Sequence, residues 1–312
     1  MRVLVAGATG AVGRPLVRML REGGHEVLGT TRSEAKAGLL RELGAEPVVC
    51  DARDGKALRR AVLGAEPEAI VNQLTDLSAP LNPRKYAEWM EPTNRLRIES
   101  TRALAGAAVE CGTRLLASQS IAFAYRWDGE GLKVEDDPLF NDGPGGFDRA
   151  VGALHEMEAR TLESPGLAGI VLRYGYFYGP GTSYARDGQV AEMVRRRRFP
   201  VVGAGTGRFS FVHVDDAAAA AVAALDRGQP GVYNVVDDEP GELREWLPVY
   251  ASALGAKPPR RVPRWLGRIF GGRFMGDGSV ELRGASNDKA KRELGWQPQW
   301  SSWRQGFRDA LG

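Results

Sequence analysis

Short apolar runs alternate with segments of helical spacing along the first half of the chain. The runs are rich in valine, leucine and isoleucine and are bounded by polar residues or glycine. This pattern is typical of buried parallel strands. It predicts strands at Arg2–Ala6, Glu26–Thr31, Pro47–Cys50, Ala69–Gln73, Arg114–Ser118 and Gly169–Tyr174.

Helical spacing of apolar residues fills the segments between these strands. It predicts helices at Ala11–Glu22, Glu34–Leu43, Gly55–Leu63 and Arg84–Cys111. Strands and helices that alternate with short connections indicate an α/β fold, a doubly wound parallel sheet with right-handed crossovers.

The order of elements is less regular in the second half of the chain. Gly231–Val236 is predicted as a late strand and Asp288–Leu294 as a late helix, and no linker separates the two halves. We expect a main domain over residues 1–175, to which parts of residues 205–236 contribute. Residues 176–312 would form a smaller mixed α/β lobe that is interwoven with it.

Composition and charge exclude several classes of protein. The 42 basic and 39 acidic residues give a net charge of +3, so no broad positive face for nucleic acid is expected. Cys50 and Cys111 cannot form a disulfide framework, and no metal-ligand spacing is found. The apolar stretch Ala217–Leu225 is too short to span a membrane. We expect a cytoplasmic protein with no membrane, metal or nucleic-acid partner.

A glycine-rich turn links the first predicted strand to the first helix. Gly7, Gly10 and Gly13 would serve the tight turn, the close approach of a pyrophosphate and the contact between helix and strand. The helix N-terminus would present backbone N–H groups to the phosphates. We interpret residues 1–175 as a dinucleotide-binding domain, and the alternative is an ordinary glycine turn.

The end of the second strand bears on the choice of cofactor. NAD-binding units usually place an acidic residue there, to hold the ribose hydroxyls. Here Arg32 and Ser33 follow the strand, and the first acidic residue is Glu34. A guanidinium and a hydroxyl suit a 2′-phosphate, so the sequence favours NADP over NAD. The alternative is a solvated arginine at the start of a helix.

Several motifs together resemble the extended branch of the short-chain dehydrogenase/reductase superfamily, whose members are often named NAD-dependent epimerases/dehydratases. The resemblance covers nearly the whole chain and implies a Rossmann fold. The matching segments are Gly7–Gly13 (GATGAVG), Asp51, Asn72–Thr75 (NQLT), Thr93-Asn94, Leu172–Tyr174 (LRY), Tyr178–Gly181 (YGPG), Phe211–Asp216 (FVHVDD) and Asn287–Trp296 (NDKAKRELGW).

The resemblance implies cofactor contacts beyond the glycine turn. Asp51 matches the acidic residue that usually contacts adenine, and Asn72–Thr75 lies where the fourth strand of the family meets the cofactor. The cofactor-binding residues expected are Gly7, Thr9, Gly10, Ala11, Val12, Gly13, Arg32, Ser33, Asp51, Ala52, Gln73, Leu74, Thr75, Asn94, Ser118 and Tyr174.

The catalytic residues of the superfamily are only partly matched. Its members usually combine a serine or threonine after the fifth strand with a Tyr-x-x-x-Lys motif, whose tyrosine exchanges a proton with the substrate oxygen. Ser120 matches the hydroxyl. In many members a glutamate follows the lysine of this motif by four residues. When Glu158 is matched to that glutamate, Ala150 takes the position of the tyrosine and Leu154 that of the lysine. No Tyr-x-x-x-Lys occurs in the chain.

Other tyrosines are candidates for the missing acid. Tyr125 lies just past Ser120, and Tyr174 and Tyr176 lie at the end of the sixth predicted strand. Each could instead form an aromatic wall. We predict Ser120 and Tyr176 as the catalytic residues, with Ser120 donating a hydrogen bond to a substrate oxygen.

The second lobe gives hints about the substrate. Nucleotide-sugar enzymes of this branch often carry an arginine two residues before the phenylalanine of the Phe-Val-His motif. This chain has Phe209 at that position, and its arginine, Arg208, comes one residue earlier. On a strand this shift turns the side chain to the opposite face, which favours a smaller or more apolar substrate. The aromatic residues that could line its pocket are Trp246, Trp265, Phe270 and Phe274.

In the Phe-Val-His motif itself, the resemblance implies structural roles. His213 would bond to the backbone, and Asp215 would cap the helix that follows.

These observations predict an NADP-dependent oxidoreductase that acts on a small molecule other than a nucleotide sugar. Two alternatives stay open: a redox-neutral epimerase, isomerase, dehydratase or cyclase, and a non-catalytic regulator that senses NADP. By analogy with the family, the helix Arg84–Cys111 could pair across a homodimer.

Overall fold

Strands and helices alternate through the first half of the structure, a computed structural model that describes residues 1–77, 79–82 and 85–312. The strands are β1 (Arg2–Ala6), β2 (Glu26–Thr31), β3 (Glu46–Val49), β4 (Ala69–Asn72), β5 (Leu115–Ile121), β6 (Ala168–Tyr174), β7 (Tyr176–Tyr178), β8 (Val201–Val202), β9 (Arg208–Phe209), β10 (Phe211–His213), β11 (Gly231–Val235), β12 (Gly241–Glu242) and β13 (Arg261–Val262).

The α-helices of the first half cross over between the strands of one sheet. They are α1 (Gly13–Glu22), α2 (Glu34–Glu42), α3 (Gly55–Ala65), α4 (Tyr86–Cys111), α5 (Phe147–Leu162), α6 (Gln189–Arg195), α7 (Val214–Arg227), α8 (Leu243–Ala253), α9 (Arg264–Glu281) and α10 (Trp303–Asp309).

A seven-stranded sheet in the order β11-β6-β5-β4-β1-β2-β3 forms the centre of the molecule. All of its pairs are parallel. The connections change direction between β1 and β4, and in such sheets ligands bind in the crevice outside the carboxyl ends of the strands. The predicted doubly wound α/β sheet is confirmed.

The two faces of the sheet bury alternate residues of each strand, as the two-residue period of a strand requires. On β1, Val3 and Val5 pack in one core together with residues of α1 and α7. Leu4 and Ala6 point to the other face and pack with residues of α3 and α4. The sheet is therefore covered on both sides, which explains why its strands are nearly continuous apolar runs.

The second half of the chain adds both to this sheet and to a separate core. β11 is the edge strand of the sheet, and α7 packs against α1. Three two-stranded sheets, β7–β10, β9–β12 and β8–β13, lie beyond it. Large aromatic side chains, among them Trp246, Tyr250 and Phe307, fill the core beneath them.

Most of the predicted elements differ from the structure by one or two residues at an end, and three differences are larger or of another kind. β5 continues to Ile121, because it pairs with β6 as far as Ile121 and Tyr174. In the late helix, residues 290–294 form a π-helical turn. α4 begins at Tyr86, whereas Arg84, the predicted start, lies outside the described residues.

The predicted cap of α7 is wrong. The helix begins at Val214, and the imidazole Nδ1 of His213 accepts a hydrogen bond from the backbone N–H of Asp215 at 3.2 Å. His213 is therefore the N-cap, and Asp215 lies in the first turn.

Two features are absent from the described residues. In this part of the chain, no helix is both long enough and apolar enough to cross a membrane. Over the same residues, no group of three or more His, Cys, Asp or Glu side chains is arranged to hold a metal ion.

Candidate active site

A cavity of about 910 Å³ opens at the carboxyl ends of the central strands. Its walls come from both halves of the chain, because Phe274 and Met275 of α9 face the loops that follow β1, β2 and β4. The predicted site residues that line it are Gly7, Thr9, Gly10, Ala11, Val12, Gly13, Arg32, Ser33, Asp51, Ala52, Gln73, Leu74, Thr75 and Tyr176.

The glycine turn at one end of the cavity is built so that side chains are excluded. Gly7 has a φ of +87°, and a Cβ atom there would lie 2.8 Å from the carbonyl oxygen of Gln73. A Cβ atom on Gly13 would lie 2.2 Å from the carbonyl oxygen of Gly7. The turn is closed by a hydrogen bond from Gly10 N–H to Gly7 O at 3.0 Å. The N-terminus of α1 therefore faces the cavity with bare backbone, a shape that fits a pyrophosphate.

Charged side chains gather where β2 and β3 end. Arg53 binds the carboxylate of Asp51 through Nε at 3.1 Å and Nη2 at 2.8 Å. These contacts and the nearby charge of Arg32 hold the pKa of Asp51 below its usual value. Lys36 also lines the cavity, so that Arg32, Lys36 and Arg53 give the lining three cations in addition to the carboxylate of Asp51.

Three of the predicted cofactor contacts lie behind the cavity wall. Tyr174 is fully buried, and its hydroxyl donates to the carbonyl of Ala217 at 3.2 Å. Ser118 accepts a hydrogen bond from Thr161 at 2.9 Å. Asn94 is 5% exposed, and its amide atoms have no hydrogen-bond partner among the described residues. None of the three is among the described residues that form the cavity surface.

The structure also places Ser120 away from the cavity, contrary to the expected contact with substrate. Since β5 continues to Ile121, Ser120 lies within the strand and not after it. Its fully buried hydroxyl donates to the carboxylate of Glu158 at 2.5 Å. Gln119 and Ile121, its neighbours in the strand, line the cavity instead. The cause is the two-residue period of the strand, which turns Ser120 to the opposite face.

Apolar side chains stand at the two α5 positions that the sequence match relates to the tyrosine and lysine of the superfamily, and at the residue after Ser120. Ile121 is the cavity-lining residue at the end of β5. On α5, Ala150 and Leu154 are fully buried in the aromatic core. Thus none of these positions provides a group that can exchange a proton.

Glu158 on α5 and Arg173 on β6 form a buried ion pair. Arg173 on β6 binds Glu158 through Nε at 3.0 Å and Nη2 at 2.6 Å, and both side chains are buried. Arg173 also donates to the Tyr125 hydroxyl at 2.8 Å. A bidentate pair of this kind orients α5 against the sheet. The hydrogen bond from Arg173 holds the Tyr125 hydroxyl in the interior, so Tyr125 is a structural residue.

Aromatic rings form the end of the cavity opposite the charged strand ends. Tyr176 stacks on Phe123 with 4.2 Å between the ring centroids. Burial raises the pKa of Tyr176 well above its usual value, and the phenols of Tyr184 and Tyr86 raise it further. Tyr176 therefore keeps its proton and presents a flat wall with one hydroxyl. Its catalytic role stays a prediction.

Arg97 is a cavity residue that the sequence analysis missed. It lies on α4, is 5% exposed and lines the cavity. The apolar pattern gave no signal for it, since charged residues are usually expected on the exposed face of a helix. Its spacing from Thr93, four residues earlier, could have indicated that both share one face.

The residues of the second lobe that were expected near the substrate lie in different environments. On β9, Arg208 is exposed and Phe209 is 4% exposed, as their alternation requires. Of the four aromatic residues expected near the substrate, Phe274 lines the cavity. Trp246 is fully buried in the core, whereas Trp265 and Phe270 are exposed on α9.

Comparison with known proteins identifies the family. Residues 3–235 match the model of the NAD dependent epimerase/dehydratase family. The chain therefore belongs to this family, within the extended short-chain dehydrogenases/reductases.

Two curated relatives are reductases. A "3-diazoavenalumate denitrifying reductase" from a Streptomyces species is 46% identical over 310 residues, which are 98% of this chain and 99% of the relative. A "2-alkyl-3-oxoalkanoate reductase" from Stenotrophomonas maltophilia is 27% identical over 82% of this chain and 76% of the relative.

Solved structures share the fold. A human epimerase family protein, crystallised with NADPH, has a TM-score of 0.77 at 21% identity and matches 100% of this chain and 99% of its own. UDP-glucose 4-epimerase from Thermotoga maritima has a TM-score of 0.76 at 23% identity and matches 100% and 97%. At these identities the likeness concerns the fold alone.

The chain is therefore an enzyme, an oxidoreductase or an epimerase/dehydratase-like enzyme, that acts on a small molecule.

Proposed function

We propose that this protein is an NADPH-dependent reductase that replaces a leaving group, the nitrogen of an aryl diazo compound, with hydride. One observation carries the proposal: Ser120, matched to the catalytic hydroxyl, is turned away from the cavity, where Ile121 lies instead, and the positions matched to the tyrosine and lysine are the buried Ala150 and Leu154. A reduction that consumes no proton at a substrate oxygen is compatible with such a site. The 46% identity with a reductase named for 3-diazoavenalumate supports this choice.

The cavity fits a nicotinamide dinucleotide. The bare backbone of Gly7, Gly10 and Gly13 would hold the pyrophosphate at the N-terminus of α1, where added Cβ atoms would clash. Asp51 and Ala52 would contact the adenosine, and the nicotinamide would extend toward Gln119 and the aromatic end.

The cations around Asp51 support NADPH over NADH. Asp51 is already bound by Arg53, so its charge is compensated. Arg32 and Lys36 remain to hold a phosphate, and Ser33 adds a hydroxyl. A ribose without the 2′-phosphate would leave these cations without a partner.

The cofactor proposal is tested by Arg32→Ala. Because a hydrogen bond to a charged group contributes about 1.5–3 kcal/mol, we expect the Kd of NADPH to rise about 10- to 100-fold and that of NADH to stay within about twofold. Arg41→Ala is the matched control, since Arg41 is exposed on the neighbouring α2 and does not line the cavity. Equal loss of both cofactors, or no loss of either, would contradict the assignment of Arg32.

The apolar side chains of Ile121, Ala150 and Leu154 are consistent with the proposed chemistry. When bound, the reduced nicotinamide would supply a hydride to the ring carbon that carries a cationic diazonium group. A C–H bond would form there as the C–N bond breaks, and dinitrogen would depart with the electron pair of the C–N bond. The chain's own residues would hold the ring and exclude water. Phe123, Tyr176 and Phe274 provide the flat apolar walls for this.

The reaction is tested with purified protein, 3-diazoavenalumate and NADPH that carries deuterium at the transferred position. We expect one dinitrogen released per NADPH oxidised, and deuterium bound at the ring carbon that carried nitrogen. The control contains NADPH and substrate without protein. The proposal fails if nitrogen is released without deuterium transfer, or if a ketone panel is reduced while the diazo compound is not.

A further inference from the structure

Arg97 is a charged residue of the cavity that the proposed cofactor contacts do not use. Only 5% of its surface is exposed, yet it lines the cavity. Its Nε and Nη1 have no hydrogen-bond partner within the part of the chain that the structure describes. A buried polar group normally has a partner, so this guanidinium is suited to a ligand group that the described residues do not supply.

The position of Arg97 on α4 is set by contacts one turn before and one turn after it. Thr101 accepts a hydrogen bond from the Asn72 side chain, at the end of β4, at 3.1 Å. Thr93 donates to the carbonyl of Asp76 at 2.8 Å. Residues at this spacing share one helix face. Arg97 therefore faces the segment that leaves β4, where the cavity meets the carboxyl edge of the sheet.

Neither of the two groups that act on the pKa of Arg97 neutralises it. Burial lowers this pKa to about 10, and Tyr86 and Glu158 oppose the shift. The Glu158 carboxylate is already bound by Arg173 and Ser120. Tyr86 is a phenol whose pKa burial raises, so it is uncharged at neutral pH.

The other cations of the cavity lie elsewhere. Arg14 follows the glycine turn at the start of α1 with its Nη2 beside Gly181, and Arg32, Lys36 and Arg53 follow the ends of β2 and β3. Arg97 is instead linked to the aromatic end: its charge acts on Tyr86, whose ring stacks on that of Phe274 with 5.4 Å between the centroids, and all three residues line the cavity. The ligand that meets Arg97 is therefore on the substrate side.

We infer that Arg97 binds a carboxylate of the substrate, so that the enzyme takes planar aromatic or conjugated carboxylic acids with the charged end held at α4. The planar guanidinium fork matches a carboxylate, and the stacked rings of Phe123 and Tyr176 match a flat body. The inference rests on the proposed function in placing the substrate at the aromatic end of the cavity, and it deepens that function by naming the substrate class.

Binding can be measured without turnover. The probe is 4-hydroxycinnamate, and 4-hydroxycinnamamide is the neutral control of the same shape, each titrated by calorimetry into protein saturated with NADP⁺. We expect the carboxylate to bind at least about 10-fold more tightly than the amide, because a charged hydrogen-bonded pair is lost with the amide. Equal affinities would overturn the inference.

Two variants of Arg97 and one matched control assign the effect to this side chain. In Arg97→Met we expect the preference for the carboxylate to disappear while the Kd of NADP⁺ stays within about twofold. Arg97→Lys should keep part of the preference, because the charge remains and the fork is lost. Arg95→Met, an exposed position on the same helix, should behave like the natural protein.

The thermal stability of the unliganded protein separates ligand binding from a structural role. Since Met keeps most of the stem and removes an unpartnered charge, Arg97→Met should melt at the same temperature as the natural protein or higher. A lower Tm, or a parallel loss of NADP⁺ affinity, would show that Arg97 serves the fold or the cofactor and would overturn the inference. Failure of nitrogen release alone would count against the proposed function and leave these binding results standing.

Discussion

At the scale of single residues, the direction of a side chain decides what it can do. Ser120 and Ile121 are adjacent in β5, yet one is bonded to Glu158 in the interior and the other lines the cavity. The sequence identifies a serine near the end of the strand but not which face it occupies, because the register depends on where pairing with β6 ends.

The hydroxyl of Tyr176 provides a direct test of whether an acid is needed. If hydride replaces nitrogen without a proton, Tyr176→Phe should leave kcat/KM for the diazo substrate within about threefold of the natural value, because the ring and its stacking on Phe123 remain. Steady-state kinetics would measure this. A loss of about 100-fold or more would instead identify Tyr176 as a general acid.

His213 predicts a dependence of stability on pH. Burial lowers its pKa below 6.5, although Asp215 and Asp216 oppose the shift, and its Nδ1 accepts a hydrogen bond as the helix cap. The folded protein therefore binds fewer protons than the unfolded chain below about pH 6.5. The free energy of unfolding should fall as the pH drops from 7 toward the lowered pKa, by at most about 1.4 kcal/mol per pH unit.

Urea unfolding at several pH values would measure this contribution. His213→Asn is the comparison, because asparagine can cap the helix but does not titrate. The difference in unfolding free energy between the two proteins should shrink as the pH falls. A difference that is constant from pH 7 to pH 5 would show that His213 does not titrate as described.

At the scale of elements, the unit of β1, the glycine turn and α1 is the part that local sequence specifies most completely. β1 has the predicted bounds, and Gly7 has the positive φ that the turn requires. Local sequence does not specify the pair of Glu158 and Arg173. The pair connects α5 to β6, and its bidentate geometry follows from how the helix packs on the sheet.

Gly13→Ala tests the contact between α1 and the turn. The added Cβ would lie 2.2 Å from the carbonyl of Gly7, so the backbone must shift. We expect the free energy of unfolding to fall by about 1–3 kcal/mol, as for overpacking, and the Kd of NADPH to rise at least about 10-fold.

The matched control is Gly38→Ala in α2, where nothing lies within 4 Å of the new Cβ. Because alanine favours helix, this variant should gain up to about 1 kcal/mol in urea unfolding. If both variants had the same stability and affinity, the close packing at Gly13 would have no role in binding.

At the scale of the whole molecule, one cavity joins the two halves of the chain. Gly7 and Arg32 come from the first half, and Tyr176, Phe274 and Met275 come from the second. A ligand that fills this cavity contacts both halves and binds only the folded protein. Its binding free energy therefore adds to the stability of the fold.

Thermal unfolding with cofactor measures this linkage. At 100 times its Kd, NADPH should add about 2.7 kcal/mol and raise the Tm by several degrees. At the same concentration NADH should raise it less, since it lacks the phosphate that Arg32 and Lys36 would bind. Equal shifts with both cofactors would contradict the preference for NADPH.

The sequence by itself determined that the sheet is parallel and doubly wound, the succession of strands and helices along the first half of the chain, and the glycine turn. These follow from local patterns: the length of apolar runs, helical spacing, and positions where only glycine adopts the backbone conformation. Tertiary structure alone decided that Ser120 faces inward, that Ile121 lines the cavity, and that Arg97 lies buried at its edge. The reason is that the face of a strand or helix that meets a cavity depends on register and packing between residues far apart in the chain.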